Sequence, residues 1–333
     1  MKRILIAAAL LIGFATAGTA NAKPITIMVG GVEKQIYLPA MLTQQLGYFK
    51  DEGLEVELSS EGAGVEATDA MVAGEVDGVV GFYDHTIDLQ SKGKYAESVV
   101  QFSRVPGEVE LIDLKLADKV HSFADLKGMS LGVTGLGSST NFLTQYMAAR
   151  AGLKQGDITS VAVGAGNTFL AALKQGAIQG GMTTEPTVSR ALSTGLAKVL
   201  VDMRTEPGTR DALGGTYPAA CLYMMESYVK ANPETVQKLA NAFAKTMHFI
   251  ASHSAQEIAA LMPKDYYAGD EAMYVSALAD GKAMFTPDGK MPDDGPKTVL
   301  SVLSTFKKEL QGTQIDLTRT YTTQFVDQAN KTQ

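Results

Sequence analysis

The sequence predicts an α/β protein made of two similar lobes around a cleft, and three observations support this fold class. Residues 62–93 and 164–195 align without a gap at an offset of 102, and eight of the 32 positions are identical. A strand-like run precedes each copy, at residues 54–58 and 158–163. Strands alternate with helical patterns of about ten residues, which is typical of βαβ units and mainly parallel sheets. A chain that builds one unit twice is expected to leave a cleft between the copies.

The first 22 residues are typical of a cleavable export signal. Lys2 and Arg3 form a positive start, an apolar run follows, and Ala20-Asn21-Ala22 is a small-x-small cleavage site. The apolar run is shorter than the roughly 20 residues that a membrane-spanning helix needs, so a retained anchor is the less favoured alternative. We therefore expect a soluble periplasmic protein that begins at Lys23.

Composition excludes several classes of protein. Without Lys2 and Arg3 the chain carries 27 basic and 36 acidic residues, a formal charge of −9, and no basic cluster that would suit a nucleic acid. The one cysteine, Cys221, lies in an apolar run, so we interpret it as a core residue rather than a reactive thiol. One large or two medium domains are expected for a chain of this length.

Lobe one is predicted to begin with a buried strand at Ile25–Val29. Helical spacing of apolar residues follows from Leu38 to Phe49 and ends near Gly53. A strand at 54–58, the first repeat copy and a strand at 98–105 come next. The Pro106-Gly107 pair then interrupts the pattern before a strand at 110–116.

Lobe two is predicted from a short helical connector at 121–128 onward. A strand at Ser130–Val133, a glycine turn, a helix at 138–151, a strand at 158–163, the second repeat copy and a strand at 198–202 complete it. Between Thr205 and Pro218 the periodicity breaks down, which we interpret as a crossover back to lobe one.

The remainder of the chain has no counterpart in lobe two. A strand is predicted at 217–225, and Asn232-Pro233-Glu234 is a helix start in which Asn would cap. From Ala255 the pattern is helical apart from a loop at 286–296. We therefore assign residues 23–113 and 218–333 to lobe one and residues 114–217 to lobe two.

The turn that opens the helix at 138–151 is a candidate ligand site. Gly137, Ser138, Ser139 and Thr140 follow a strand, and free backbone N–H groups beside hydroxyls can receive an anion or a carbonyl. Such turns lie at the carboxyl ends of parallel strands, where α/β proteins bind ligands. The alternative is that a serine merely caps the helix.

The equivalent turn of lobe one contains Tyr83, Asp84 and His85, and the repeat offset places Tyr83 opposite Glu185. These residues are expected to face the same cleft, although a structural role for His85 is an equal alternative. Further candidates are Gln35 and Tyr37 in the turn after the first strand, Arg104 at a strand end and Tyr217 in the second crossover. The polar side chains of that turn, which include Glu33 and Lys34, either orient a ligand or are simply solvated, and a surface position is an equal alternative for Arg104.

Catalytic chemistry is not visible in the sequence. The four histidines lack metal-ligand spacing, the glycine turn is neither a dinucleotide fingerprint nor a P-loop, and no G-x-S-x-G motif is present. We expect a protein without a cofactor, a metal or catalytic turnover.

Several segments, in their order and spacing, resemble one family across essentially the whole mature chain. They are Tyr37-Leu38-Pro39-Ala40, residues 46–56, Gly74-Glu75-Val76-Asp77-Gly78, Asp125-Leu126-Lys127-Gly128, Gly137-Ser138-Ser139-Thr140 and Thr184-Glu185-Pro186. The chain resembles the periplasmic solute-binding proteins of ABC importers, especially the nitrate/sulfonate/taurine and thiamine-precursor-binding family. The resemblance implies a type II periplasmic-binding-protein fold whose lobes close on a ligand by a hinge motion.

The resemblance also implies a function. A monomeric binding protein would capture a small organic anion, sulfonate- or nitrate-like, or an aromatic or heterocyclic solute, and deliver it to an ABC permease and ATPase at the inner membrane. Two alternatives remain open: an enzyme of the same fold that forms a pyrimidine precursor, and a sensor that presents its ligand to a receptor.

Overall fold

The structure is a computed structural model that describes residues 23–331. The predicted export signal therefore lies outside the described residues. The described strands are β1 (Ile25–Val29), β2 (Val56–Ser60), β3 (Gly78–Phe82), β4 (Ala96–Gln101), β5 (Glu108–Asp113), β6 (Ser130–Val133), β7 (Thr159–Ala162), β8 (Gly180–Thr184), β9 (Ala197–Asp202) and β10 (Ala220–Met225). They form two five-stranded sheets, so the predicted division into two α/β lobes is confirmed.

The helices flank these sheets. They are α1 (Leu38–Gln45), α2 (Tyr48–Asp51), α3 (Gly64–Ala73), α4 (Asp84–Ser91), α5 (Ser139–Arg150), α6 (Asn167–Lys174), α7 (Thr187–Ser193), α8 (Glu206–Leu213), α9 (Glu226–Ala231), α10 (Pro233–Ser252), α11 (Ala255–Ala259), α12 (Glu271–Gly281), α13 (Gly295–Phe306) and α14 (Gln324–Ala329). None of the helices described is both long and apolar enough to cross a membrane.

The sheet of lobe one has the order β2-β1-β3-β10-β4. β1 pairs in parallel with β2 and β3, and β10 lies antiparallel between β3 and β4. The strand that returns from the second half of the chain therefore occupies a central position. Its six residues are apolar, as a strand with covered faces requires, and Cys221 within it is fully buried.

The sheet of lobe two repeats this plan with the order β7-β6-β8-β5-β9. Here β5 is the central antiparallel strand, paired with β8 and β9. The expectation that residues up to 113 belong to lobe one was therefore wrong for Glu108–Asp113. The chain changes lobes at the Pro106-Gly107 break, before β5 rather than after it.

The internal repeat is a true structural repeat. β3 and β8 begin and end at positions 102 apart, and α3 and α6 follow equivalent glycine turns. The predicted helix through residues 38–53 is in fact two helices, because Gly47 adopts a φ of +77° between α1 and α2. Its break lets Phe49 point into the core against Phe243.

The segment between Thr205 and Pro218, expected to be irregular, contains α8. The Thr205 hydroxyl caps this helix by accepting from the Gly208 N–H, and Pro207 lies in the first turn, where no donor is needed. Asn232 does not cap α10 as predicted, since its side chain donates to the Tyr228 carbonyl instead.

The helical tail mainly completes lobe one. α10 packs on α1, α2 and β4, and α14 packs on α10. α13 differs, because it packs on both α4 of lobe one and α5 of lobe two. The prediction that the tail belongs to lobe one alone was therefore incomplete.

The two crossover segments, residues 102–107 and 214–219, run beside each other. The Ala219 N–H donates to the Ser103 carbonyl, the Ser103 N–H donates to the Ala220 carbonyl, and the Ser103 hydroxyl accepts from the Ala220 N–H. Two adjacent connections between two compact lobes are the geometry of a hinge.

Candidate functional site

A small polar cavity lies where the carboxyl ends of the strands of both lobes meet. The volume that the centre of a water molecule can occupy is about 10 Å³, so the lobes are closed upon one another. Lobe one and lobe two contribute equally: the lining residues are Lys34, Ile36, Tyr37, Gly64, Phe82, His85, Glu108, Thr134, Ser138, Ser139, Thr140 and Thr184. The predicted cleft is therefore present, with six residues from each lobe on its walls.

The lobe-two wall is rich in hydroxyl groups at the start of α5. The Ser138 hydroxyl donates to the Gly135 carbonyl at 2.7 Å and lies 2.7 Å from the Thr140 hydroxyl. The Thr134 hydroxyl lies 2.9 Å from that of Thr140, whose oxygen also accepts from the Thr134 N–H. These three hydroxyls therefore hold one another in place through mutual hydrogen bonds.

Ser139 makes a contact that joins the two lobes. Its hydroxyl donates to Oδ1 of Asp84 on α4 at 2.8 Å, and the Tyr217 hydroxyl donates to Oδ2 at 3.0 Å. Asp84 is fully buried, and burial raises its pKa, while the hydrogen bonds oppose this rise. One carboxyl group thus ties lobe one to lobe two and to the second crossover.

His85 is 2 % exposed, and its Nε2 faces Gly64. A Cβ added at Gly64 would lie 3.0 Å from that nitrogen, so a glycine there gives the ring its room. Nε2 has no hydrogen-bond partner among the described residues. Burial lowers the pKa of His85, which favours the neutral ring.

Two charged residues of the cavity were not among the favoured candidates. Lys34 is 5 % exposed, and its Nζ donates to the Gly30 and Gly62 carbonyls at 2.6 and 3.1 Å. Burial lowers its pKa, against the opposing effect of nearby carboxylates. Sequence analysis named Lys34 in its turn but preferred Gln35. We identify no pattern in the sequence that predicts the hydrogen bonds of the Lys34 side chain to these two carbonyls.

Glu108 is the other missed residue, on β5. It is 2 % exposed, its Oε2 has no partner among the described residues, and burial raises its pKa well above the usual value. The expected strand began two residues too late, which left Glu108 in a loop. Acidic residues that alternate with apolar ones at 108–111 were the available signal.

Aromatic rings line the lobe-one side. Tyr37 packs edge-on against Phe82, with ring centroids 6.1 Å apart. Burial raises the pKa of Tyr37 well above its usual value, so the hydroxyl keeps its proton. The expected position of Tyr37 beside the cavity is thus observed.

Seven predicted site residues do not line this cavity. The Tyr83 hydroxyl pairs with Thr320 inside lobe one, and the Gln35 side chain donates to the Tyr274 carbonyl. Glu185 forms an ion pair with Arg204 at 2.7 Å, and its carbonyl accepts from the Gln35 N–H of lobe one. Strand alternation explains Tyr83 and Glu185, because they follow the wall residues Phe82 and Thr184 and point the opposite way.

The remaining four lie beside the cavity, behind its walls or far from it. Gly137 has a φ of +89° in the turn, and a Cβ added there would lie 3.5 Å from the Val65 side chain of lobe one. Arg104 lies in a separate surface groove near the crossovers, where it donates to the Phe285 carbonyl at 3.4 Å. Asp84 and Tyr217 stand directly behind the lining residues.

No group of three or more His, Cys, Asp or Glu side chains in residues 23–331 could hold a metal ion. Cys221 is buried, and burial raises the pKa of its thiol far above the usual value, which keeps it unreactive.

Comparison with known proteins adds a family and a set of similar structures. The family model described as "NMT1/THI5 like" matches residues 36–257. A curated relative, the 4-amino-5-hydroxymethyl-2-methylpyrimidine phosphate synthase of Aspergillus parasiticus, is 26 % identical over 69 % of this chain and 68 % of its own length.

Solved structures share the whole architecture. A protein from Bordetella bronchiseptica RB50 superposes with a TM-score of 0.89 at 36 % identity, covering 93 % of this chain and 97 % of that one. The alkanesulfonate-binding protein SsuA of Xanthomonas axonopodis pv. citri, bound to MOPS, gives a TM-score of 0.71 at 18 % identity over 91 % and 99 % of the two chains. The predicted type II periplasmic-binding-protein fold is confirmed.

Proposed function

Because this chain belongs to the NMT1/THI5-like family, we propose that it is the substrate-binding component of an ABC uptake system. It captures a small organic solute between its lobes in the periplasm, without chemical turnover, and delivers it to a membrane permease and its ATPase. The chain acts as a monomer in this scheme, since each lobe pair encloses one complete cavity.

The observation that carries the proposal is the cavity itself. Both lobes supply its walls, and the hydrogen bond between Ser139 and Asp84 closes it on one side. The adjacent crossovers at 102–107 and 214–219 allow the lobes to separate as units. A site built by closure is suited to capture and release, because a ligand that contacts both walls stabilises the closed state.

A pyrimidine-forming enzyme is the second candidate, since the curated relative named above is a pyrimidine phosphate synthase. Such an enzyme needs a reactive histidine or a lysine that is free to hold a cofactor. In the described part of the chain Lys34 is the lysine of the cavity lining, and its Nζ is already engaged by two carbonyls. His85 is present but fully enclosed. These contacts favour binding over turnover.

A ligand sensor that docks on a receptor would use the same cavity and the same closure. A sensor differs from an uptake protein only in its partner, so a measurement of ligand uptake distinguishes the two functions. A strain that lacks the protein should lose uptake of the ligand if the chain serves a permease, and should keep it if the chain serves a receptor.

A thermal-shift panel tests the proposal. Sulfonates, nitrate, aromatic carboxylates, small amines and pyrimidines are each added to the purified protein, and each hit is incubated and analysed for products. A ligand at about 100 times its dissociation constant should add roughly 2.7 kcal/mol of stability. Stabilisation without conversion supports a binding protein. Conversion of any hit into a product would overturn the non-catalytic assignment in favour of the enzyme.

A further inference from the structure

Helix α13 runs along the boundary between the lobes and contacts both of them. It begins beside the second crossover, where a Cβ added at Gly295 would lie 2.5 Å from the Pro218 ring. It packs on α4 of lobe one and on α5 of lobe two, and its twelve residues span about 18 Å. Lys307, which follows its last residue, is therefore about one helix length away from that crossover.

The Lys307 ammonium group contacts both lobes at once. Its Nζ forms an ion pair with Oδ1 of Asp88 on α4 and lies 3.9 Å from the centroid of the Phe142 ring on α5. The Lys307 side chain is 15 % exposed and that of Asp88 is 9 % exposed, so both contacts are largely shielded from water. Because one atom joins the two lobes, they cannot separate here without the loss of one contact.

The ion pair with Asp88 is the contact that lobe separation should leave intact. Beyond Lys307 the chain returns to α4, where the Asp316 N–H donates to Oε1 of Gln90 at 2.6 Å and the Gln90 amide donates to the Asp316 carbonyl at 3.0 Å. Burial alone would raise the pKa of Asp88, but Lys307 and Lys92 outweigh this effect and lower the pKa. The carboxylate therefore stays charged and holds Lys307 on lobe one.

The Phe142 ring is the part of lobe two that meets Lys307. It is 3 % exposed, and its centroid lies 5.8 Å from that of His85 on α4 and 6.1 Å from that of Phe306 on α13. Phe142 is three residues after Ser139, so the two share a face of α5, and the Ser139 hydroxyl also bonds to lobe one. The side chains of His85, Phe306 and Lys307 thus form a socket for the Phe142 ring.

We propose that Phe142 and Lys307 form a latch that sets the ratio of closed to open protein. The inference rests on the closure motion of the proposed function and adds a contact outside the cavity, since neither residue lines its walls. In the closed protein the ammonium group lies over a desolvated ring, where cation–π attraction is strongest. When the lobes separate, Phe142 leaves the socket and water hydrates both groups. A ligand needs both walls, so the closed fraction limits its affinity.

Lys307→Gln tests the latch, because it removes the charge and keeps an unbranched polar side chain. Spin labels on the exposed sites Lys94→Cys in lobe one and Lys174→Cys in lobe two report the distances between the lobes, while the buried Cys221 stays unlabelled. We expect the ratio of closed to open molecules to fall about 5- to 30-fold, which is the range for a largely desolvated cation–π contact.

Lys92→Gln is the matched control. Lys92 pairs with the same carboxylate at 2.8 Å, but its side chain is 60 % exposed and both partners belong to lobe one. It should change the ratio by less than about twofold. Phe142→Leu removes the ring from the same contact, so adding Lys307→Gln to it should have little further effect. Thermal unfolding shows whether each variant folds.

Equal distance distributions for Lys307→Gln and Lys92→Gln would overturn the latch, and so would additive effects of Lys307→Gln and Phe142→Leu. In either case a wild-type protein that still opens and closes leaves the proposed binding function standing. A single distance shared by the wild type and every variant would overturn the latch together with the closure on which that function depends.

Discussion

Replacement of Ser139 by alanine should open the protein without unfolding it. Ser139 is 5 % exposed on lobe two, and its hydroxyl donates to the buried Asp84 of lobe one at 2.8 Å. When the lobes separate, both groups are solvated, so the bond contributes to closure rather than to the stability of either lobe. The variant also leaves Oδ1 of Asp84 without its donor in the closed state.

The size of the effect follows from the type of bond. A hydrogen bond to a carboxyl group contributes about 1–3 kcal/mol, the lower value applying if Asp84 keeps the proton that burial favours. This corresponds to a roughly 5- to 150-fold decrease in the ratio of closed to open molecules.

Single-molecule energy transfer can measure that ratio. Dyes are placed on the exposed sites Lys94→Cys in lobe one and Lys174→Cys in lobe two, while the buried Cys221 stays unlabelled. The control is Ser160→Ala, which removes a hydroxyl that accepts from Gln145 at 3.1 Å within lobe two. We expect the closed population to fall for Ser139→Ala alone. Equal distributions for the two variants would refute the role of Ser139 in closure.

Three further predictions concern stability. Gly180→Ala should lower the free energy of unfolding in urea by about 1–3 kcal/mol, because the added Cβ would lie 2.4 Å from a backbone oxygen. The equivalent change in the other repeat copy, Gly78→Ala, should lower it much less, because there the Cβ would lie 3.0 Å from the flexible end of a methionine side chain. Similar losses for the two would contradict this. Burial raises the pKa of Glu110 to about 8, so the folded protein keeps a proton that the unfolded chain loses near pH 4.5. Stability should therefore fall by up to about 1.4 kcal/mol per pH unit as the pH rises from 4.5 to 8. Glu110→Gln should flatten that slope in denaturation curves from pH 5 to 8, and an unchanged slope would exclude Glu110 as its source. Tyr83→Phe should lower stability by about 1 kcal/mol through loss of the Thr320 pair and leave the affinity for any ligand found in the thermal-shift panel unchanged, so a loss of affinity would restore Tyr83 to the site.

The elements that sequence analysis placed correctly are those with uniform apolar patterns. The strands Ile25–Val29 and Ser130–Val133 match residue for residue, because each is a short, mainly apolar run that ends at a glycine turn. The repeat was recognised for a different reason: Gly74 and Gly93 of the first copy and Gly176 and Gly195 of the second all adopt a positive φ in equivalent turns, where glycine is favoured. The boundary between the lobes was harder to predict. The sequence of β5 and that of the last strand before it both have a strand pattern, and only their hydrogen-bond pairing shows that they belong to different sheets.

The site was predicted at the level of turns but not of side chains. Ser138, Ser139, Thr140, Tyr37 and His85 line the cavity as expected. Tyr83 and Glu185 occupy the right turns and point away, because one step along a strand end reverses the direction of a side chain. Glu108 was missed since a buried, unpartnered acid contradicts the general rule that charges stay in solvent. The burial of Glu108 results from the packing of the two lobes, which no local sequence pattern predicts.

The central position of β10 dictates the order in which the chain can assemble. Neighbours β3 and β4 have no contact in the sheet until residues 220–225 arrive between them. Every strand of the other sheet is already present by residue 202. During synthesis from the amino terminus, the sheet of lobe two can therefore be completed first. The sheet of lobe one stays incomplete until β10, which is encoded more than 110 residues after β4, has been made.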